Sequence, residues 1–385
     1  MNILTRLQEL IYFDNNATTR LDKDVLDAML PYFTSAYGNP ASQHHFGLEI
    51  RNIVEQSRIR IAEQIGAFSN EVIFTSGATE GINIALKGAA FEAADGRTKI
   101  LTTATEHQAV LDTCAYLEQI GFEILFLPVD SMGLISLADA ERMIDSQTLA
   151  VTIMLVNNET GVIQPIRELA RIAHRQGALM ISDATQAIGK IAVDSNELNA
   201  DVLVFSGHKF HAPKGIGALY LRKGLQLASV IHGGGHEHGL RSGTLNVAGI
   251  VGMSKALEIA VQKIEQNTRH IKQLRDMLEC ELLTLPGTKL NGHPVLRAPN
   301  VANISFKNID ANAFISEMTL LAVANGSACT SAVMEPSHVL RAMGIENQSA
   351  FGAIRFSLSK FNTQDEVEQV LAMIKQYLGR STPDH

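Results

Sequence analysis

The chain predicts an α/β protein built on a mostly parallel sheet, followed by a smaller α+β unit. Three observations carry this. Between residues 70 and 225 short β-rich runs alternate with helical patterns, several of those runs end in polar clusters, and the pattern changes from Gly249 onward. At one domain per roughly 150 residues, a chain of 385 holds two to three domains, or a large one carrying a smaller one.

The β-rich runs are EVIF, KILTT, FEILFL, LAVTIMLV, ALMISD, DVLVF and GALYL, separated by segments such as GINIALKGAA and IRELARIAHRQG. That order reads as βαβ units and a mainly parallel sheet of seven strands. Five polar clusters follow strands: TSGATE, TATEHQ, VNNETG, SDATQ and SGHK. Ligands of open α/β sheets bind at the carboxyl ends of strands, so these clusters point to one site. Past Gly249, the residues Ile250, Met253, Leu257, Val261, Ile264, Ile271, Leu274 and Leu278 keep helical spacing. They predict one long helix, ending near Pro286, that joins two domains. Beyond it NVANISF, LAVAN and IRFSLS are expected strands, with helices at Ala311 to Leu320 and Gln364 to Tyr377. The expected division is a large unit, 14–253, and a small one, 254–385, completed by 1–13.

Composition excludes several functions. A 46% hydrophobic fraction, 19% charged residues and 29 glycines are those of a globular enzyme, not a disordered chain or a fibre. Acidic residues outnumber basic ones by 40 to 32, for a net charge of -8, so direct binding to nucleic acid or an anionic membrane is not expected. The cysteines Cys114, Cys280 and Cys329 are widely spaced, which argues against disulfides and structural zinc. Arg6 and Glu9 interrupt the apolar stretch that an export signal requires, and no run approaches the roughly twenty residues of a membrane span. A cytoplasmic location is expected.

Lys209 sits in FSGHKFHAPKGIG, directly after DVLVF. A lysine at a strand end in a polar pocket condenses with an aldehyde when its amine is partly neutral, although most lysines are solvated surface charges. Asp183, one βα step earlier in SDATQ, raises the first reading. Pyridoxal phosphate chemistry needs such a pair: a lysine for the aldehyde and a carboxylate that keeps the pyridine nitrogen protonated. TSGATEG, Thr75 to Gly81, leads from a strand into a helix whose amino terminus suits a phosphate, or is simply tight packing. His107 either stacks on an aromatic cofactor and moves protons, or caps a helix.

Ten ordered blocks extend the pattern over essentially the whole chain: DNNATT, GNPAS, TSGATE, TEHQAVLDTC, VNNETG, DATQAIGK, SGHKFHAPKGIGALY, HGGGHEHGLRSGTLN, GSACTSAVMEPSHVLRAMG and IRFSLSKFNT. The chain resembles a pyridoxal phosphate-dependent cysteine desulfurase of the NifS/IscS type, in the class V aminotransferase family. The resemblance implies the aspartate aminotransferase-like fold (fold type I), a homodimer, and conversion of L-cysteine to L-alanine with sulfur left as an enzyme persulfide. By the same resemblance Lys209 holds the cofactor, Asp183 pairs with its ring nitrogen, Gln186 and Asn158 contact the phenolic oxygen and its neighbours, and His107 stacks on the ring. Ala78, Thr79, Ser206 and His208 match phosphate-binding positions, and Thr244 matches the one supplied by the partner subunit. Arg355, with Asn158, would bind the substrate, and Cys329 would take the sulfur for an acceptor protein serving iron–sulfur cluster assembly or thio-modification of tRNA or DNA.

The chain departs from the family pattern in places. Asn325 stands where relatives have serine, His211 and Ala212 replace a tyrosine–glycine pair, and His238 replaces arginine or another residue. The ending YLGRSTPDH lacks the longer tail with which housekeeping members dock a scaffold protein, which opens tRNA thiolation, DNA phosphorothioation or a nitrogenase-type role. His232, His236 and His238 mimic metal spacing, but three consecutive glycines argue against the helix that spacing needs. A selenocysteine lyase, a plain aminotransferase and a non-catalytic subunit are the rival readings. The GSACTSA thiol opposes the aminotransferase, and a scaffold has no chemical need for Lys209, Asp183, His107, Arg355 and Cys329 together. Cys114 and Cys280, with helical apolar neighbours, read as structural.

Overall fold

The computed structural model describes residues 10–307, 309–326 and 335–381. A seven-stranded sheet is made of β2 (Val72–Thr75), β3 (Lys99–Thr103), β4 (Glu123–Leu127), β5 (Thr148–Thr152), β6 (Leu179–Asp183), β7 (Val202–Ser206) and β8 (Gly217–Leu221). Its order is β2-β8-β7-β6-β5-β3-β4, and only β8 runs antiparallel to its neighbours. Inner strands β5 and β7 are buried at every residue, which is why they read as continuous apolar runs. The order reverses direction beside β5, and the ends of β2, β3, β5, β6 and β7 deliver the five polar clusters to one side of the sheet.

Gly217 shows how tightly this end is packed. A Cβ there would lie 2.6 Å from the Phe205 carbonyl and 2.7 Å from Gly77 Cα, so only glycine lets the turn after β2 nest against β8.

A second apolar core is separate from the first. It collects Leu274, Leu278 and Leu282, Val367, Val370 and Ile374, and the inward residues of β10 (Val301–Phe306) and β12 (Ala353–Ser357). These strands form an antiparallel sheet with β9 (Thr288–Leu290). The start of the chain completes it: β1 (Ile11–Tyr12) pairs in parallel with β11 (Leu321–Ala322), and Ile11 and Phe13 join this core.

The long helix expected from Gly249 is two helices, Val247–Gln262 and Ile264–Leu283, broken at Lys263 with φ -110° and ψ 14°. The break has a packing cause. Ile250, Met253 and Leu257 face the large core whereas Leu274, Leu278 and Leu282 face the small one, and one straight apolar stripe does not serve both. The expected helix at Ala311 ends at Glu317, and the last helix runs Gln364–Ser381. Among the described residues no helix is long and apolar enough to cross a membrane.

Candidate active site

A cleft of about 690 Å³ opens at the carboxyl ends of the large sheet. Ten of the expected site residues line it: Ala78, Thr79, His107, Asn158, Asp183, Gln186, Ser206, His208, Lys209 and Arg355. Thr244 is exposed and does not line this cleft. Cys329 lies outside the described residues.

Lys209 follows β7 in a single 3₁₀ turn, Gly207–Lys209. Its Nζ donates to the carbonyls of Asn16 and Ala17, both at 2.7 Å. Burial, together with the positive charge of Arg355 and against the opposing pull of Asp183 and Asp14, lowers its pKa to about 8. Its amine is therefore partly neutral near physiological pH, as condensation with an aldehyde requires. Asp183 ends β6, nearly buried, and Oδ1 accepts the Thr185 N–H at 2.9 Å, which aims the carboxylate into the cleft wall.

His107 caps helix Gln108–Gln119 through Nδ1, which accepts the Ala109 N–H at 3.1 Å, and it also faces the cleft. That bond assigns the neutral Nε2–H tautomer. Burial pushes its pKa below the usual histidine value. His208 bonds Thr18 Oγ1 at 3.1 Å, and burial with the nearby Lys209 brings its pKa down to about 4, so its imidazole is neutral. Helix Ala78–Glu92 points its amino terminus, capped by Gly77 without a side-chain bond, into the same space.

Arg355 rises from β12 across the cleft. Its Nη2 donates to Asp14 Oδ1 at 2.7 Å, its Nη1 to the Asn158 carbonyl at 3.1 Å, and its Nε is buried with no partner. Asp14, Asn16 and Lys190 were not singled out from sequence. Asn16 accepts Lys209 and, through Oδ1, both Lys190 and Asn300; Lys190 also donates to Gln186 Oε1. Burial drives the Lys190 pKa well below the ordinary lysine value. The run DNNATT carried that signal, since a strand from the small core must pass the cleft there.

HGGGHEHG holds a different surprise. Among the described residues no group of three His, Cys, Asp or Glu is placed to hold a metal. The acid between the histidines is the structural member: Glu237 takes a bidentate bond from Arg58 at 2.7 and 2.8 Å and the Phe74 N–H at 2.6 Å, all buried. Glu237 and His238 hold φ of 49° and 57°, strained for non-glycine residues, and the ion pair fixes them there. His211 adopts φ 71°, with Nδ1 at 2.9 Å from the Arg20 carbonyl. Cys114 is buried, its thiol pushed up to about 12, whereas Cys280 is exposed, so the structural reading fails for it because its helix turns that face outward.

These residues fit pyridoxal phosphate. The cleft presents a partly neutral amine, a buried carboxylate and a helix amino terminus, and leaves the buried Asn158 Oδ1, Thr185 Oγ1 and Arg355 Nε without partners. Fold and cleft together define an α/β enzyme of the pyridoxal phosphate fold type I.

The class-V aminotransferase family profile matches residues 11–370. The chain is 43% identical over 372 residues to the cysteine desulfurase IscS of Methanosarcina thermophila, covering 96% of this chain and 92% of the relative. A solved NifS-like protein superposes with a TM-score of 0.91 at 41% identity, covering 96% of this chain and 100% of that one. A structure of SspA in complex with cysteine gives 0.81 at 35% identity, over 91% and 99%. The chain belongs to the class-V aminotransferase family, in its branch of pyridoxal phosphate-dependent cysteine desulfurases of the NifS/IscS type.

Proposed function

We propose that the cleft converts L-cysteine to L-alanine and leaves the sulfur as a persulfide on Cys329. The observation that carries this reading is the meeting of Lys209, Asp183, His107 and Arg355 around one helix amino terminus. When bound, pyridoxal phosphate supplies an electron sink for the substrate's Cα. Lys209 would hold it, Asp183 its ring nitrogen, Gln186 and Asn158 its phenolic side, and Ala78, Thr79, Ser206 and His208 its phosphate. His107 would pack on its face.

The chain's own groups divide the work. Arg355 orients the substrate carboxylate through a charge-assisted pair. Lys209, as a neutral amine, takes the Cα proton, and His107 helps remove the Cys329 proton, because the thiolate is the nucleophile. The Cys329 thiolate attacks the substrate sulfur; an S–S bond forms and the substrate C–S bond breaks. The electron pair of the broken bond stays with Cβ, which takes up one proton to become the methyl group of alanine, and Lys209 returns a proton to Cα. The sum is L-cysteine plus thiol giving L-alanine plus persulfide, with no outside oxidant.

Further readings belong to the same proposal. The enzyme acts as a homodimer in which Thr244, exposed on its own subunit, reaches the partner's phosphate site. The sulfur passes to an acceptor protein, in the cytoplasm, for iron–sulfur cluster assembly or for thio-modification of tRNA or DNA. The two separate cores support a division into two units, 14–253 and 254–385 with 1–13, with the large core's packing carried past 253 by Ala256 and Leu257 up to the helix break at Lys263.

Two variants test the roles at different stages. Lys209→Ala should lose covalently retained cofactor, and Cys329→Ser should keep the cofactor and bind L-cysteine yet release no sulfur. Retention of a normal lysine-linked spectrum by the first, or normal turnover by the second, would refute the assignment.

A further inference from the structure

The turn Asn157–Gly161 after β5 does more than carry Asn158. Glu159 is buried at 1% exposure, and its carboxyl group meets two distant pieces of chain. Oε2 accepts the hydroxyl of Ser337, itself buried, whose Oγ also receives the Leu340 N–H at 3.2 Å and so opens helix His338–Ala342. On the other side lies Gly326, at φ +76°, where a Cβ would sit 2.3 Å from that same Oε2. The backbone of Gly326 therefore rests directly on the carboxyl group, and no side chain fits between them. Gly326 and Ser337 flank the stretch that contains Cys329.

We propose that Glu159 is a positioning residue for sulfur transfer, holding both flanks of the Cys329-bearing stretch on one buried carboxyl group. The inference rests on the reading of Cys329 as the sulfur-accepting thiol. Two further contacts tie the anchor to the substrate side. Ala324, just before Gly326, exchanges backbone bonds with Arg355, at 3.3 and 2.6 Å, and the Asn158 carbonyl accepts Arg355 Nη1. The turn thus touches the arginine that faces the substrate carboxylate and both ends of the thiol's chain. Fixing the two ends of a chain segment raises the effective concentration of a group that segment carries. Burial pushes the Glu159 pKa up to about 7, against the opposing pull of the Ser337 bond and Arg355, so near neutrality much of this group is uncharged. Glutamine then mimics it.

The test uses full-length, cofactor-loaded protein and its Glu159→Ala, Ser337→Ala and Glu159→Gln variants. Three quantities are read: visible absorbance of the bound cofactor, Kd for L-cysteine, and the single-turnover rate at which sulfur arrives on the Cys329 peptide. Glu159→Ala and Ser337→Ala should slow that arrival about tenfold or more, with cofactor content and cysteine Kd within about twofold of wild type. Glu159→Gln, which keeps an acceptor for Ser337, should stay within about threefold of the wild-type rate. An unchanged rate in both truncated variants, or a parallel loss of cysteine affinity, overturns the proposal. Should Glu159→Ala fail to fold, Ser337→Ala, which loses one oxygen, decides the matter. Wild type that places no sulfur on Cys329 refutes the thiol assignment instead, independently of Glu159.

Discussion

Replacing Arg355 with alanine separates substrate binding from the rest of the cleft. Its guanidinium has five N–H donors. Two are committed, Nη2 to Asp14 at 2.7 Å and Nη1 to the Asn158 carbonyl at 3.1 Å, and Nε is buried with no partner. In the proposed reaction a substrate carboxylate would meet the donors that remain. Hydrogen bonds to charged groups contribute about 1.5–3 kcal/mol each, so losing a two-point contact costs about 3 kcal/mol. At about 1.4 kcal/mol per tenfold, Kd for L-cysteine rises roughly 100-fold. Asp14, left without its cation, should also cost the fold about 1 kcal/mol. Titrating the cofactor-loaded variant with L-cysteine by visible absorbance, with urea unfolding alongside, reads both effects. Asp14→Asn keeps the guanidinium but releases its orientation, and should weaken binding only about five- to tenfold. A cysteine Kd for Arg355→Ala within threefold of wild type would refute the carboxylate role.

Glu237→Ala strands Arg58 in the interior and should cost about 3–5 kcal/mol, visible as a lower urea midpoint; a midpoint equal to wild type would contradict the anchoring of the HGGGHEHG loop. Glu159 makes stability pH-dependent in a known direction. Its folded pKa, about 7, exceeds the ordinary 4.5, so the stability it confers is fully present below 4.5 and lost as pH rises to about 7, roughly 3 kcal/mol in all. Urea titrations at pH 5 and 8 should differ less for Glu159→Gln than for wild type, and an identical difference would contradict this. Thr244→Ala mixed with Lys209→Ala should regain cofactor and activity in heterodimers holding one intact site, and no recovery would count against the shared site.

Much of the candidate site was legible because its residues follow the carboxyl ends of strands. Apolar β runs with polar residues at their carboxyl ends place Asp183, Ser206, His107 and Asn158 by topology alone. The residues that escaped notice act at long range. Asp14 and Asn16 matter because β1 crosses from the small core to the cleft, and Glu159 matters because Gly326 and Ser337 converge on it from far along the chain. Periodicity likewise ran unbroken through Lys263, since both helices are amphipathic and only the cores they face differ. The histidines of HGGGHEHG drew attention through ligand spacing, whereas Glu237, the residue that holds the loop, lacked a local pattern.

Incubating the cofactor-loaded protein with L-cysteine, quantifying alanine and weighing the peptide that contains Cys329 joins reaction to residue in one experiment. Alanine together with one added sulfur on that peptide is the expected result. Pyruvate or an amino-transfer product, with the Cys329 peptide unmodified, would contradict it and leave the fold and cofactor serving a different reaction.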